Sequence, residues 1–261
     1  VLPNIEDELD KKRCMDEIPQ SASGKTIMTI EPKFVPSNGA NININGLTTN
    51  IKLVDCVGFI TPESIGYEDN QKKKKMVKTP WFNEELPFVE AAEIGTEKVI
   101  KDHATIGIVV STDGTILDMP RSNYINAEDK VINELKNINK PFIMILNSKV
   151  PNSVETKALA KSLQEKHKIP VIPISVEDMT ENDIVNILQE ALYEFPVEHI
   201  EFDIPDWVGI LKSTHPLKKK FIDKMKETTV DIDKLRDVNK ININFEDDDE
   251  ISNSYISSLD T

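Results

Sequence analysis

Three short runs constrain this chain more than anything else in it. Residues 106–111, 141–147 and 170–175 are almost continuously apolar and rich in Ile and Val. Runs of that length without polar alternation suit strands covered on both faces, the burial pattern of a parallel sheet. Segments with helical spacing lie beside them. Residues 88–101 carry Val89, Ala92, Val99 and Ile100; residues 127–136 carry Val131, Ile132 and Leu135; residues 153–167 carry Ala158, Leu159 and Leu163. Residues 181–192 open after Thr180, an N-cap residue, and carry Ile184, Ile187, Leu188 and Leu192. Strands alternating with helices imply right-handed βαβ crossovers. The expected fold class is therefore α/β, a mostly parallel sheet with helices on both faces.

Ahead of these runs, residues 41–45 and 50–55 alternate polar and apolar residues about Gly46, the pattern of a hairpin. After Phe195-Pro196 the pattern changes. Residues 198–204 read as a strand, 217–225 and 230–235 as helices, and the tail 239–261 holds the acidic run 246–250 among Asn and Ser. The expected division is a domain over 1–195, then a linker and the start of a second region over 196–261. No internal repeat is evident.

The formal net charge is −14, which argues against a free nucleic-acid binder, since neutralising phosphates takes clustered cations. The one basic cluster, Lys72 to Lys75 with Lys78, reads as a solvated loop. Cys14 and Cys56 are far apart and lack CxxC spacing, so neither a disulfide framework nor a zinc site is expected, and a reducing compartment is. The four histidines (His103, His167, His199, His215) lack metal-ligand spacing and read as surface or structural. No stretch approaches the roughly 18 apolar residues of a membrane span, and no signal peptide is visible. The sequence opens on Val1, so the natural N-terminus is expected further upstream.

Four signals carry chemistry. Asp55-Cys56-Val57-Gly58 follows an extended run directly. Open α/β sheets bind ligands at the carboxyl ends of their strands. An Asp there can hold Mg²⁺ through its water, and the Gly can bring its N–H against a γ-phosphate. Upstream, Ser23-Gly24-Lys25-Thr26 imitates the end of a phosphate loop, but GxxxxGK[ST] needs glycine at position 19, where Pro19 stands, and no apolar strand precedes it. The segment suits instead a switch loop, whose threonine completes the Mg²⁺ shell when the γ-phosphate is present. Thr29 is the first candidate and Thr26 the second. Asn147-Ser148-Lys149-Val150 stands where GTPases read guanine with NKxD, and Ser175-Val176-Glu177 stands where they flank the base. Val150 cannot accept guanine's hydrogen bonds, which favours adenine. Phe59 occupies the position of the water-orienting glutamine of Ras-like enzymes, so hydrolysis would need another group there. Together these describe a P-loop NTPase of the translation-factor GTPase type. Thr29 and Asp55 are its catalytic and metal residues, and Thr26, Gly58, Asn147, Ser148 and Ser175 its nucleotide contacts.

The strings Gln20–Thr29, Glu31-Pro32-Lys33-Phe34-Val35-Pro36, Leu53–Gly58, Ala91–Thr96, Thr112-Asp113-Gly114-Thr115 and Glu190–Pro196 closely resemble the stage IV sporulation protein A family. The resemblance covers nearly the whole chain and is weakest in the tail. It implies an ATPase of GTPase descent, using ATP and Mg²⁺, that polymerises in the mother-cell cytosol at the forespore surface into the basement layer of the spore coat. It implies as partners other copies of itself, a small amphipathic membrane-anchoring peptide and other coat proteins, with no nucleic acid. The family's phosphate loop falls just upstream of the residues matching Val1 to Asn4, so this stretch of chain by itself would be inactive, and 196–261 would enter the family's middle domain. The family's Mg²⁺-holding Asp falls on Asp55. Its paired sensor threonines fall on Thr29 and Ile30, a departure, because Ile30 has no hydroxyl. Two other readings stay open: a nucleotide-dead assembly scaffold, suggested by Phe59 and Ile30, and a regulatory GTPase.

Overall fold

The computed structural model describes residues 8–17, 33–44, 47–56, 58–61, 74–79, 82–117, 119–238 and 256. The chain divides into two compact units, 1–191 and 192–261.

In the first unit, helix α1 spans Glu8–Glu17. Strands β1 (Lys33–Ile44) and β2 (Leu47–Asp55) form the expected hairpin, antiparallel, with Ile44 opposite Leu47 and Lys33 opposite Asp55. A second hairpin, β3 (Met76–Thr79) with β4 (Phe82–Pro87), was not anticipated, because its strands are short and hydrophilic. Helix α2 (Phe88–Lys98) runs into a π-helical turn at Val99–His103. Then come β5 (Gly107–Thr112), α3 (Ser122–Asn137), β6 (Phe142–Asn147), α4 (Val154–His167), β7 (Val171–Ile174) and α5 (Glu181–Leu192).

The three continuous apolar runs are β5, β6 and β7, and they form one parallel sheet in that order. The β1–β2 hairpin is a separate two-stranded sheet. Alternate residues of the central strand β6 serve opposite faces. Phe142, Met144 and Leu146 join Val109 and Val171 against Ile132 and Leu135 of α3 and Ala160 and Leu163 of α4. Ile143 and Ile145 join Ile174 against Ile187 and Ala191 of α5. The fold is thus α/β with helices on both faces of a parallel sheet. Ile132, Ile143, Met144 and Leu146 are completely buried, and truncating any one to Ala removes about 2–5 kcal/mol. A Cβ on Gly107 would lie 3.0 Å from both Leu135 and Phe142, so glycine there lets α3 close on the sheet.

Local chemistry sets the helix ends. Ser153 caps α4, its hydroxyl accepting the Thr156 N–H at 3.1 Å, and Lys168 ends the helix with a left-handed φ of 58°. Thr180 and Asp183 cap α5 reciprocally, each side chain accepting the other's main-chain N–H at 3.3 and 2.8 Å. Helix α3 starts five residues before the apolar spacing suggested, because its first turns are polar.

In the second unit, α6 (Asp206–Ile210), α7 (Pro216–Thr229) and α8 (Leu235–Val238) follow. The buried Glu194 carboxylate takes the Lys234 ammonium at 2.6 Å and the Arg236 guanidinium. Main-chain bonds from Leu235 to Phe195 and from Arg236 to Tyr193 run beside it. Residues 198–204 are not a strand; they find no ladder partner among the described residues, and Ile200 and Phe202 stay exposed. Residues 230–234 are turn and bridge, with helix only from Leu235. Trp207 and Phe221 pack edge to face at 6.4 Å, and the Lys218 ammonium ties α7 to the Gly209 and Leu211 carbonyls. Among the described residues no helix is long and apolar enough to cross a membrane.

Candidate functional site

The carboxyl ends of β6 and β7 bring Asn147, Ser148 and Ser175 together. The Asn147 side-chain oxygen accepts the Val176 N–H at 3.0 Å, and the Ser148 N–H donates to the Ile174 carbonyl at 2.9 Å. The Ser175 hydroxyl donates to Asp178 at 2.8 Å and takes that residue's N–H at 3.3 Å, closing the loop after β7 into a tight turn. Ser148 lies beneath this surface at 0% exposure. Its hydroxyl accepts the Val150 N–H at 3.0 Å and sits 3.4 Å from the Thr156 hydroxyl. Ser148 therefore shapes the loop from below, while the Val150 side chain faces out, 53% exposed.

The loop after β5 joins them, which sequence reasoning missed. Asp113 Oδ1 accepts the N–H and hydroxyl of Thr115 at 2.9 and 2.6 Å, and Oδ2 accepts the Thr156 hydroxyl at 3.0 Å. Thr115 Oγ1 in turn accepts the Lys149 N–H at 3.0 Å. Burial pushes the Asp113 carboxyl up, but hydrogen bonds from Ser148, Thr115 and Thr156 outweigh it and hold the group below its ordinary value. An Asp-x-Thr turn directly after a strand was the available signal.

Asp55, Cys56 and Gly58 follow from the β1–β2 hairpin. Asp55 ends β2 with its side chain exposed. Gly58 adopts φ +74°, which a side chain rarely tolerates, and its N–H donates to the Thr96 hydroxyl of α2 at 3.1 Å. Burial raises the neighbouring Cys56 thiol against opposing hydrogen bonds from Gly58 and Thr96, so it stays a thiol. Phe59 lies under the Lys130 ammonium, 5.3 Å from its ring centre. An exposed carboxylate at a strand end is a hard oxygen donor of the kind Mg²⁺ takes. Thr26, Thr29 and Ile30 lie outside the described residues, as do the Ser23–Thr26 string and most of the tail.

Glu128, Asp129 and His167 also converge, with one potential ligand atom from each within 4.8 Å of the others. The carboxylates already have cations. Glu128, buried, takes Arg121 at 2.7 Å and the Ser111 hydroxyl at 2.6 Å, and Asp129 takes Lys166 at 2.6 Å. Charge balance there is complete without a metal ion, and the cluster fastens α3 to β5 and α4.

Comparison with known proteins agrees with the string matches. The sequence model of the stage IV sporulation protein A ATPase domain matches residues 1–196, and that of the middle domain matches 197–261. The stage IV sporulation protein A of Bacillus subtilis (strain 168) is 53% identical over 242 residues, covering 92% of this chain and 49% of its own length. That of Bacillus anthracis is 49% identical over 261 residues, covering 100% of this chain and 53% of its own length. That of Clostridioides difficile (strain 630) is 47% identical over 242 residues, covering 92% and 49%. The chain spans about half the length of these relatives.

Proposed function

The chain belongs to the stage IV sporulation protein A family, and from that premise we propose that residues 1–195 are part of a domain that, in the intact protein with its phosphate loop, hydrolyses ATP to drive self-assembly during sporulation. The domain is of translation-factor GTPase descent: a hairpin ends in Asp55-x-x-Gly58, and the base loops close β6 and β7. The observation that carries the choice of nucleotide is the loop at Asn147 to Val150. With its oxygen held by the Val176 N–H, Asn147 offers its amide N–H₂ to N7, which both purines possess. Discrimination then falls to Val150, exposed where a guanine reader holds a carboxylate. An apolar group there leaves guanine's donors unpaired at about 1–3 kcal/mol.

Asp55 would hold Mg²⁺ through water, and Thr29, or Thr26 in its stead, would complete the metal's shell. The bound ion supplies neutralising charge to the β- and γ-phosphates. Gly58 contributes its N–H toward the γ-phosphate, and Ser175 fixes the loop beside the base. The product is a polymer, the basement layer of the spore coat, at the forespore surface in the mother-cell cytosol. Other copies of the chain, a small amphipathic anchoring peptide and further coat proteins are its partners. A nucleotide-dead scaffold is the second reading, favoured by Phe59, whose ring under Lys130 leaves no amide to orient water.

The deciding experiment is hydrolysis by the intact protein, ATP against GTP, with and without Mg²⁺. Mg²⁺-dependent turnover preferring ATP supports the reading; a clear GTP preference refutes the pocket argument, and no turnover of either nucleotide leaves the scaffold.

A further inference from the structure

We propose that Asp113 is the positioning residue of the nucleobase loop, its carboxylate setting the backbone of residues 148–150 against the base through three hydroxyls. The proposal rests on the nucleotide reading above and extends it to a residue in none of the four signals.

The loop's two successive main-chain donors lead back to one carboxylate. The Lys149 N–H donates to Thr115 Oγ1, and the Thr115 hydroxyl proton goes to Asp113 Oδ1. The Val150 N–H donates to Ser148 Oγ, which lies beside Thr156 Oγ1, and the Thr156 hydroxyl proton goes to Asp113 Oδ2. An ionised carboxylate only accepts, so it fixes the direction of every proton in the network. With its own proton committed to Asp113, Thr156 can only accept from Ser148 and from the Ser153 hydroxyl at 2.9 Å. Ser148 directs its proton to this Asp113–Thr156 pair, and its lone pair is left for the Val150 N–H. Thr156 and Ser153 also form the first turn of α4, so β5, the loop after β6 and the start of α4 share one hydrogen-bond network. Such a network rigidifies the loop it contains. A base contact made by a rigid loop loses less ordering entropy on binding.

Asp113→Asn is the direct test, because it keeps the volume but puts a donor where an acceptor must be. Thr115→Val, which removes only the Lys149 acceptor, is the milder companion. In the intact protein both variants should raise KM for ATP, roughly tenfold for Asp113→Asn, with a clearly smaller change in kcat, the signature of lost binding in ground and transition states alike. Amide hydrogen exchange should quicken at Lys149 and Val150 while Met144 and Ile145 of β6 keep their protection. If exchange at those two amides does not change, or if KM and kcat worsen in step with a fallen Tm, Asp113 is a structural residue and the proposal is overturned. A wild-type protein without ATP turnover overturns the nucleotide reading itself, together with the ligand assigned to this loop, and is recognised before any variant is made.

Discussion

The main-chain N–H of Gly58 donates to the Thr96 hydroxyl at 3.1 Å, and Thr96 passes its own proton to the Ala92 carbonyl at 2.9 Å. Thr96 is 2% exposed, so the stretch after β2 is moored to the interior of α2. An N–H held this way reaches a phosphate only by exchanging acceptors. Thr96→Val keeps the packing and deletes the acceptor, and should cost about 1 kcal/mol. Thr96→Ser should cost less. Urea unfolding of the three proteins measures both, and equal midpoints would show that the bond contributes nothing.

Asp55 provides the sharpest test of the metal. Asp55→Ala removes an exposed carboxylate from a strand end, so Tm should stay close to wild type. Mg²⁺-dependent ATP hydrolysis by the intact protein should fall roughly 10²-fold or more, as when an electrostatic stabiliser is lost. Turnover within a factor of about three of wild type would remove Asp55 from the metal site.

Val150→Asp places an acceptor at the outer edge of the base loop. The ratio of kcat/KM for ATP over GTP should narrow or invert, since a site offering guanine its partner gains selectivity that an apolar one lacks. Hydrolysis itself should persist. An unchanged ratio would mean that position 150 does not face the base.

His167 gives the fold a pH dependence. Burial lowers its pKa from the ordinary 6.5, the charge of Lys166 adds to this, and Asp129 and Glu128 oppose it. The unfolded chain therefore binds a proton that the folded chain refuses, and stability rises with pH across that window. The contribution is complete above pH 6.5 and declines as pH falls below it. Tm should drop between pH 7.5 and 5.5, and His167→Gln should flatten that drop. Parallel profiles for the two proteins would assign the dependence to other groups.

Sequence reading reached the parallel sheet because all three strands show as unbroken apolar runs; β6 and β7 pack on both faces, whereas β5 leaves Ile108 and Val110 exposed on one. It singled out Asn147 and Ser175 as expected nucleotide contacts because each closes one of those runs. Apart from its local turn with Thr115, the network around Asp113 was hidden because Thr156 lies 43 residues along the chain, and no periodicity marks a network assembled by tertiary contact. Ser148 was read as a nucleotide contact from its place in the motif, whereas its burial comes from packing over α4. The failed strand at 198–204 is the converse case. Alternation describes one strand, but a strand persists only with a neighbour to receive its hydrogen bonds.

The central place of β6 also sets an order of events at the ribosome. A parallel pairing cannot form until its crossover helix has been made, so when β5 and α3 emerge, Ile132 and Leu135 have only the single strand β5, with Gly107 and Val109, to settle on. Phe142 to Leu146 provide the first surface that serves both neighbours. Once β7 arrives the sheet is complete, yet Ile143, Ile145 and Ile174 remain bare until Ile187 and Ala191 of α5 follow. A nascent chain paused between β7 and α5 thus carries one finished and one sticky side. That interval is when such an intermediate is most open to capture by a chaperone or by its neighbours on a polysome.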